Sequence, residues 1–391
     1  MSLPLAGLKI LDFTTLLPGP YATQLLADMG AEVLRVEAPK RPDLLKMMPP
    51  AFGKVSAAHA SINRNKDAIA VDLKNENAKD IIARLVQDYD VVIEQFRPGV
   101  MSRLGLGYDD LKSHQPGLIY CSITGYGQTG PLKDRAGHDI NYLALSGLAS
   151  FSGRKDSGPV LSGTQIADIA GGSHHAVMAI LAAVIQRQQS GAGQYLDISM
   201  SDAAMALTTM FGANALASNR DPGLGTEMLN GGLFYDYYET SDGRFLSVGS
   251  LEPNFASGLL SLLGLQEHLG KIADQRPEAQ AELRDAVATK IRSESFDYWV
   301  NAFGVIDVCV EPVLRMSEAT QHPHFLERNM IGEAIDSDGN TVAQINSPLP
   351  FKDSSVHRAG KPLGADTQAV LEGVGYSPDE IQELIATGCI K

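Results

Sequence analysis

The sequence predicts an α/β fold with a parallel sheet, followed by a smaller α+β domain. In the N-terminal half, short apolar runs alternate with segments of helical periodicity, which is typical of parallel strands joined by helices. Around residues 226–250 the pattern changes to aromatic and apolar alternation on either side of "SDG", which indicates an antiparallel hairpin. At 391 residues the chain is long enough for two domains.

The first strand–helix–strand unit lies near the N-terminus. Residues 8–13, "LKILDF", are predicted as a strand, and residues 31–37, "AEVLRVE", as the next one. Between them "YATQLLADMG" has the pattern of a helix that ends at Gly30, after a break at "PGP" (18–20). The turn after the first strand has no GxGxxG pattern, so a nicotinamide dinucleotide site is disfavoured there.

The alternation continues and predicts a sheet covered by helices on both faces. The further elements of the first half are a strand at 68–73, a helix at 77–88, and strands at 91–96 and 118–127. Later helices are expected at 253–263 and 277–303, with two short ones near the C-terminus, the second capped by Ser377 with Pro378 at its first position. The predicted domains are a large domain (1–200), a linker helix region (201–225), a small domain (226–327) and a C-terminal segment (328–391).

Composition excludes several classes of partner. The net charge of −14 disfavours nucleic acid, which requires a basic face. The three cysteines are far apart with no CxxC, so neither a disulfide framework nor a structural zinc site is expected, and a reducing, cytoplasmic location is predicted. The apolar stretch 166–185 contains Asp168 and two histidines, which favours a buried helix of a soluble protein over membrane insertion.

Three titratable residues fall at predicted helix starts. In "GHDINYLALSG", His138 precedes a helix, where an imidazolium is disfavoured and a neutral imidazole could act as a general base. Asp168 lies near the start of a long apolar helix, whose positive end would stabilise its carboxylate. Glu252 stands before Pro253, at an expected N-cap. For each residue the structural alternative is a cap, a partner of the helix dipole, or a surface carboxylate.

Basic residues cluster within the first hundred positions. Several follow predicted strands, which is where open α/β sheets bind ligands. Such a group could hold phosphates, and the alternative is solvated loop charge. The residues are Lys40, Arg41, Arg64, Lys66, Lys74 and Arg97.

These segments together resemble the family III CoA-transferase (CaiB/BaiF) superfamily, and within it the α-methylacyl-CoA racemases. The resemblance covers about the first 320 residues. It rests on "PGPYATQLLADMGAEVLRVE", "VDLK", "FRPGVMSRLGLGYDDL", "LIYCSITGYGQTGPL", "GHDINYLALSG", "ADIAGG", "GSLEPNF" and "VCVEPVL". It implies an interlocked homodimer with a Rossmann-like large domain, an active site between the large domain of one chain and the small domain of the other, and an acyl-CoA thioester as the ligand.

The superfamily contains two chemistries, and the resemblance distinguishes them. The transferases use an aspartate nucleophile, here matched by Asp168, and form an aspartyl-CoA anhydride. The racemases keep this aspartate and add the "GHDINY" histidine, here His138, as a second base, with a supporting glutamate matched by Glu252. Because all three are present, racemisation of a 2-methylacyl-CoA through an enolate is the expected activity, and CoA transfer between carboxylic acids is the alternative. Backbone N–H groups after Asp168 are candidate donors to the enolate oxygen.

The resemblance also suggests the CoA contacts. The nucleotide is expected to border Val71, Asp72, Leu73 and Lys74, and Arg97 to contact a CoA phosphate. The thioester is expected to border Gly137, Asp139, Ile140, Asn141 and Tyr142. The racemases usually carry an arginine where this chain has Ala38, so Lys40 or Arg41 is expected to replace it. Neither a metal nor a separate cofactor is implied, since CoA is part of the substrate.

Overall fold

The computed structural model describes residues 3–274, 276–351 and 356–391. The α-helices of this part are α1 (Pro18–Asp28), α2 (Ala57–Ile62), α3 (Ala78–Val86), α4 (Val100–Arg103), α5 (Tyr108–Leu111), α6 (Asp139–Leu145), α7 (Leu148–Phe151), α8 (His175–Ser190), α9 (Met200–Ala206), α10 (Thr209–Ser218), α11 (Pro253–Leu262), α12 (Pro277–Arg292), α13 (Phe296–Phe303), α14 (Met316–Ala319), α15 (Pro323–Glu327), α16 (Thr367–Gly373) and α17 (Pro378–Ala386).

The strands complete this inventory. They are β1 (Lys9–Asp12), β2 (Glu32–Glu37), β3 (Ala51–Phe52), β4 (Val55–Ser56), β5 (Asp67–Ala70), β6 (Val91–Glu94), β7 (Ile119–Thr124), β8 (Gly153–Arg154), β9 (Gly158–Pro159), β10 (Gln194–Ser199), β11 (Asp236–Glu239), β12 (Phe245–Val248), β13 (Val310–Pro312), β14 (Ile331–Ile335), β15 (Thr341–Ile345) and β16 (Val356–Arg358). Two 3-10 helices span Leu44–Met47 and Gln266–Lys271, and a π-helix spans Ala167–His174.

The chain divides into two compact units. The first comprises residues 1–146, 162–207 and 323–391, and the second comprises residues 147–161 and 208–322. The prediction had assigned residues 147–161 to the large domain, whereas this segment belongs to the second unit. Its two short strands, β8 and β9, pair only with each other among the strands of the described residues.

The first unit contains a six-stranded sheet in the order β10-β7-β6-β1-β2-β5, and every neighbouring pair is parallel. The predicted parallel sheet is therefore confirmed. From β1 the chain moves through α1 to β2 on one side, while β6 lies on the other side of β1. This reversal opens a crevice at the carboxyl ends of β1 and β6, the usual ligand position in open α/β sheets.

The turn after β1 differs from the prediction. Residues 18–20 do not interrupt the chain before α1 but form its first turn, with Pro18 at the start. Proline is tolerated there because the first N–H groups of a helix have no partner within the helix. The carbonyl oxygen of Pro18 then accepts from Ser173 Oγ at 2.6 Å, which joins this turn to the π-helix.

The apolar segment 166–185 forms part of a continuous helix, with the π-helix leading into α8. Two adjacent glycines allow its close packing: a Cβ on Gly172 would lie 3.1 Å from Met200 Cγ and 3.2 Å from Pro18 Cβ. Residues Ala167–Ser190 are long and apolar enough to cross a membrane, but 39% of the most apolar window is buried inside the chain. Buried residues of this segment belong to the core on one face of the sheet.

The second unit has the predicted α+β character. Strands β11 and β12 form the expected antiparallel hairpin around "SDG", and β13 adds to β12. The predicted helix at 277–303 is two helices, because Ser295 caps the second one by accepting from Tyr298 N. The core of this unit surrounds the completely buried Trp299, whose Nε1 donates to Ile291 O at 2.7 Å.

The C-terminal segment returns to the first unit. Asp366 Oδ2 accepts from Ala68 N at 2.9 Å, and Cys389 O accepts from Asp72 N at 2.7 Å. Ser377 caps α17 as predicted, with its Oγ accepting from Glu380 N.

Arg64 and Lys66, expected among the exposed basic residues, are buried. Arg64 donates to both carboxylate oxygens of Asp28, at 3.0 and 2.6 Å. Lys66 Nζ donates to three neutral oxygens and lies 3.6 Å from Asp12 Oδ2. Neither a phosphate site nor solvated loop charge describes these two side chains, because both are used in internal contacts.

Lys66 belongs to a set of buried charges that we call the buried ion cluster. Arg35 connects Glu37 and Asp43, each at 3.1 Å, and Lys46 donates to both Glu37 oxygens at 2.7 Å. The members are Asp12, Arg35, Glu37, Asp43, Lys46 and Lys66.

Candidate active site

A cleft of about 530 Å³ lies in the first unit at the carboxyl ends of β1, β6 and β7. It therefore occupies the crevice that the strand order opens. The predicted residues that line it are Arg97, Gly137, His138, Asn141, Tyr142 and Asp168. Other lining residues come from the turns after β1, β6 and β7 and from the loop that leads into α6.

His138 stands at the N-cap position of α6 with an extended backbone, φ −128° and ψ 172°. Its imidazole makes no capping hydrogen bond, so the alternative of a histidine that merely caps its helix is not supported. The backbone is held instead: Asn141 Oδ1 accepts from His138 N at 3.0 Å. The ring is exposed and lines the cleft, where it can reach a ligand.

Asp168 lies in the first turn of the π-helix, a rare helix type that is frequent at functional sites. Its backbone N–H donates to Asp139 Oδ1 at 3.1 Å, and the Ala167 N–H donates to the same oxygen at 2.7 Å. The Asp168 carboxylate itself accepts no hydrogen bond from the part of the chain described here. Burial, and then the charge of Asp139, raise the pKa of Asp168 to about 6, while His138 acts in the opposite direction.

The suggested oxyanion donors are partly occupied. The Ile169 N–H, the first after Asp168, donates to Gln165 O at 3.0 Å. This group is therefore not free for an enolate oxygen in the present conformation.

Tyr142 is buried and lines the cleft. Its hydroxyl donates to Gly137 O at 2.6 Å, and its ring packs edge-on against Tyr126. A Cβ on Gly125 would lie 2.5 Å from the Tyr142 ring, and one on Gly137 would lie 2.7 Å from it. Glycine is thus required at both positions for the ring to support the segment that carries His138.

Arg97 lies in the turn after β6. Glu94 Oε2 accepts from Phe96 N at 2.7 Å, and Gly99 turns the chain with a φ of 76°. Two further basic residues that sequence reasoning missed, Lys133 and Arg135, line the same cleft. A signal was available, because "LKDRAGHD" places both within five residues of the candidate base.

The other predicted CoA contacts do not line this cleft. Lys40 and Arg41 are exposed on the loop after β2, and Lys40 Nζ lies 4.0 Å from Asp72. Val71 is completely buried and bridges to Ile390, so its side chain lies beneath the surface.

The remaining members of the predicted set are near the surface. Leu73 is half-buried against the core, Lys74 is exposed, and Ile140 is 53% exposed on α6. Of the residues in α6, Tyr142 alone is buried within this chain.

Glu252 lies in the second unit, immediately before α11. It occupies the expected N-cap position with an extended backbone, and Pro253 begins the helix. Its side chain makes no capping hydrogen bond, so it does not serve as a simple cap. Within the described residues no group of three or more His, Cys, Asp or Glu side chains is arranged to hold a metal ion.

Comparison with known proteins identifies the family. The model of CoA-transferase family III matches residues 5–367. The chain belongs to this family. The crystal structure of a CAIB/BAIF family protein from Brucella suis covers 96% of this chain and 100% of its own, with a TM-score of 0.83 and 28% identity.

Relatives in the family III CoA-transferases include both chemistries. Human alpha-methylacyl-CoA racemase is 34% identical over 387 residues, covering 97% of this chain and 96% of that protein. Human succinyl-CoA:glutarate CoA-transferase is 33% identical over 398 residues, covering 99% of this chain and 90% of that protein. Because the identities are so close, overall similarity does not separate the two activities.

Proposed function

We propose that this family III protein is an isomerase that inverts the α-carbon of 2-methylacyl-CoA thioesters. The observation that carries the proposal is that His138 and Asp168 line one cleft, within reach of each other's charge. Inversion requires one group to remove a proton from one face of the carbon and another to deliver a proton to the opposite face. An imidazole and a carboxyl of raised pKa can each hold or release a proton near neutral pH.

The proposed reaction passes through an enolate. The thioester carbonyl makes the neighbouring C–H bond acidic, and its oxygen carries the negative charge after the proton leaves. Arg97, Lys133 and Arg135 supply positive charge along the same cleft, and we assign them to the phosphates of CoA. Glu252 is proposed as the third active-site residue, in support of the pair. No separate cofactor is needed, because CoA itself is part of the substrate.

CoA transfer between carboxylic acids is the second candidate. It is favoured by the transferase relatives and by Asp168, whose carboxylate could attack an acyl-CoA to form an anhydride. That reaction has no use for a base at position 138. An imidazole that faces the cleft without capping its helix therefore favours the isomerase.

The test uses the purified protein in deuterated water. Pure 2R and pure 2S 2-methylacyl-CoA esters are incubated separately, and deuterium at the second carbon is measured together with optical inversion. The isomerase should incorporate deuterium from both esters. Transfer of CoA to added free acids without any exchange would instead establish the transferase and leave His138 without a catalytic role.

We also propose that the active protein is an interlocked homodimer. Large apolar side chains are exposed on three helices, namely Leu145 on α6, Ile185 on α8 and Leu216 on α10. The Leu216 side chain is 90% exposed. Helix α10 has no buried residue at all. Such faces require a partner, and interlocked chains would not separate without unfolding. Light scattering during dilution should detect a dimer throughout, and a folded, active monomer would contradict the proposal.

A further inference from the structure

Asp139 joins the two segments that carry the proposed bases. It follows His138 directly in the chain, at the first position of α6. Its Oδ1 accepts from the backbone N–H of Asp168 itself at 3.1 Å and from that of Ala167 at 2.7 Å. One carboxylate oxygen thus connects the base on one segment to the backbone of the base on the other.

The same contact decides which groups stabilise the Asp168 carboxylate. The first N–H groups of a helix have no partner within the helix and would normally favour a negative charge placed beside them. Here Asp139 accepts from two of these N–H groups. The Asp168 carboxylate is left without a hydrogen bond among the described residues, and a second negative charge stands next to it.

We propose that Asp139 is a positioning residue for proton transfer. It holds Asp168 at a fixed separation from His138, and it keeps the Asp168 carboxylate basic by occupying the N–H groups that would otherwise stabilise it. This inference rests on the proposed role of the His138–Asp168 pair. It goes beyond the expected contact of Asp139 with the thioester.

Besides Asp168 and His138, the cleft is lined by the basic residues Arg97, Lys133 and Arg135. Its raised pKa of about 6 has burial as the first cause and Asp139 as the second, while His138 lowers it. Tyr142 on α6 also responds to Asp168, whose charge adds to burial in raising the phenol pKa to about 12. Among the helices that pack against the π-helix, α9 carries Asp202, which contacts Ser201 and the Ser199 cap, and α1 presents Tyr21 to the ring of His174.

Both directions of the proposed reaction need the same number of protons on the His138–Asp168 pair. Removal of a proton by Asp168 requires a protonated His138, and removal by His138 requires a protonated Asp168. The active enzyme therefore carries one proton on the pair, and kcat/KM should have the same bell-shaped pH dependence from either enantiomer. Any residue that sets the basicity of Asp168 should move the acidic limb of this profile.

The experiment compares Asp139→Asn, Asp139→Ala and a control, Asp134→Asn. Asn keeps an oxygen that can accept both N–H groups but removes the charge, whereas Ala also releases the N–H groups to Asp168. Asp134 is an exposed carboxylate in the same loop that does not line the cleft. The titration of Asp168 is followed by carbon NMR of labelled aspartate carboxyls, assigned with Asp168→Asn. We expect its midpoint to fall by roughly one pH unit in Asp139→Asn and further in Asp139→Ala, with no change in the control.

Kinetics provide the second readout. Asp139→Asn should retain most of kcat at its own optimum, with the acidic limb shifted toward lower pH. Asp139→Ala should lose about 10²-fold in kcat, with a smaller change in KM, because the two bases lose their fixed separation. An Asp168 midpoint that is the same in both variants and the control overturns the proposal. If the Asp168 midpoint falls in the expected order but no ester is inverted, the effect of Asp139 on the Asp168 carboxylate stands, while the proposed isomerase, and with it a role in proton transfer, fails.

Discussion

Two sets of charges in the first unit are built in opposite ways. In the buried ion cluster, Asp12 is completely buried, yet it accepts from Thr14 N, Thr14 Oγ1 and Thr23 Oγ1 and faces Lys66. In the cleft, the less buried Asp168 carboxylate accepts no hydrogen bond within the described residues. The first arrangement secures the fold, and the second leaves a carboxyl able to exchange protons.

The basic residues follow the same division. Arg35 and Lys66 face carboxylates inside the chain, and burial lowers the pKa of Lys66 to about 7, although Asp12 opposes the change. Arg97, Lys133 and Arg135 are exposed in the cleft, with no ion pair to any residue the structure describes. Paired charges should therefore affect stability when changed, and unpaired ones should affect ligand binding or catalysis.

The largest effect is expected from Asp12→Ala. This change leaves Lys66 buried without the carboxylate it faces. It also removes the acceptor of the Thr14 hydroxyl and the shortest of the hydrogen bonds made by the Thr23 hydroxyl. The free energy of unfolding should fall by about 3–5 kcal/mol, measured by urea denaturation. The double variant Asp12→Leu with Lys66→Met should recover part of the loss, since it leaves no buried charge without its partner. An unchanged denaturation midpoint for Asp12→Ala would show that the cluster contributes no stability.

Arg97→Ala should weaken ligand binding without changing the stability of the protein. Stability should stay unchanged because Arg97 has no internal ion pair, while acyl-CoA binding should weaken by about 1.5–3 kcal/mol, the usual range for a charge-assisted phosphate contact. The measurement is KM and the dissociation constant of CoA, with Arg292→Ala as the control on the second unit. A normal KM with a collapsed kcat would remove Arg97 from the CoA site.

Asp168→Asn should stabilise the protein while abolishing activity. Burial raises the pKa of Asp168 from 3.8 to about 6 in the native state. The native state therefore binds the extra proton between these values, and stability is lost as the pH rises through this window. At pH 8 the variant should gain about 1–2 kcal/mol after allowance for partial solvent exposure, and at pH 3 the gain should vanish. Equal effects at both pH values would contradict the assigned origin of the shift.

Patterns within short segments predicted much of the architecture. The alternation of apolar strands and helices led to the parallel sheet, and "SDG" led to the β11–β12 hairpin. The stretch 277–303 was predicted as a single helix, whereas in the structure Ser295 caps a second helix that begins at Phe296. The spacing of apolar residues thus predicts a strand or helix wherever the residues of that element alone determine which of its faces is buried.

Contacts between distant segments were beyond this reasoning. Lys66 is buried against Asp12 and the turn at Pro20, and Gly172 of the π-helix packs closely against Met200 and Pro18. Residue type and helix position singled out His138 and Asp168, but could not decide whether the helix start or burial governs Asp168. In the structure burial governs, since it is the first cause of the raised pKa of Asp168. The Asp168 N–H donates to Asp139, which is 29 positions away in the chain.

The most direct test of the two-base account follows deuterium exchange in His138→Ala and Asp168→Ala. If the two groups face opposite sides of the substrate carbon, each variant keeps one base and should exchange the α-proton of one enantiomer only. The two variants should prefer opposite enantiomers, and neither should invert the centre. Retention of CoA transfer by His138→Ala, its loss in Asp168→Ala, and no enantiomer-specific exchange in either would contradict the account.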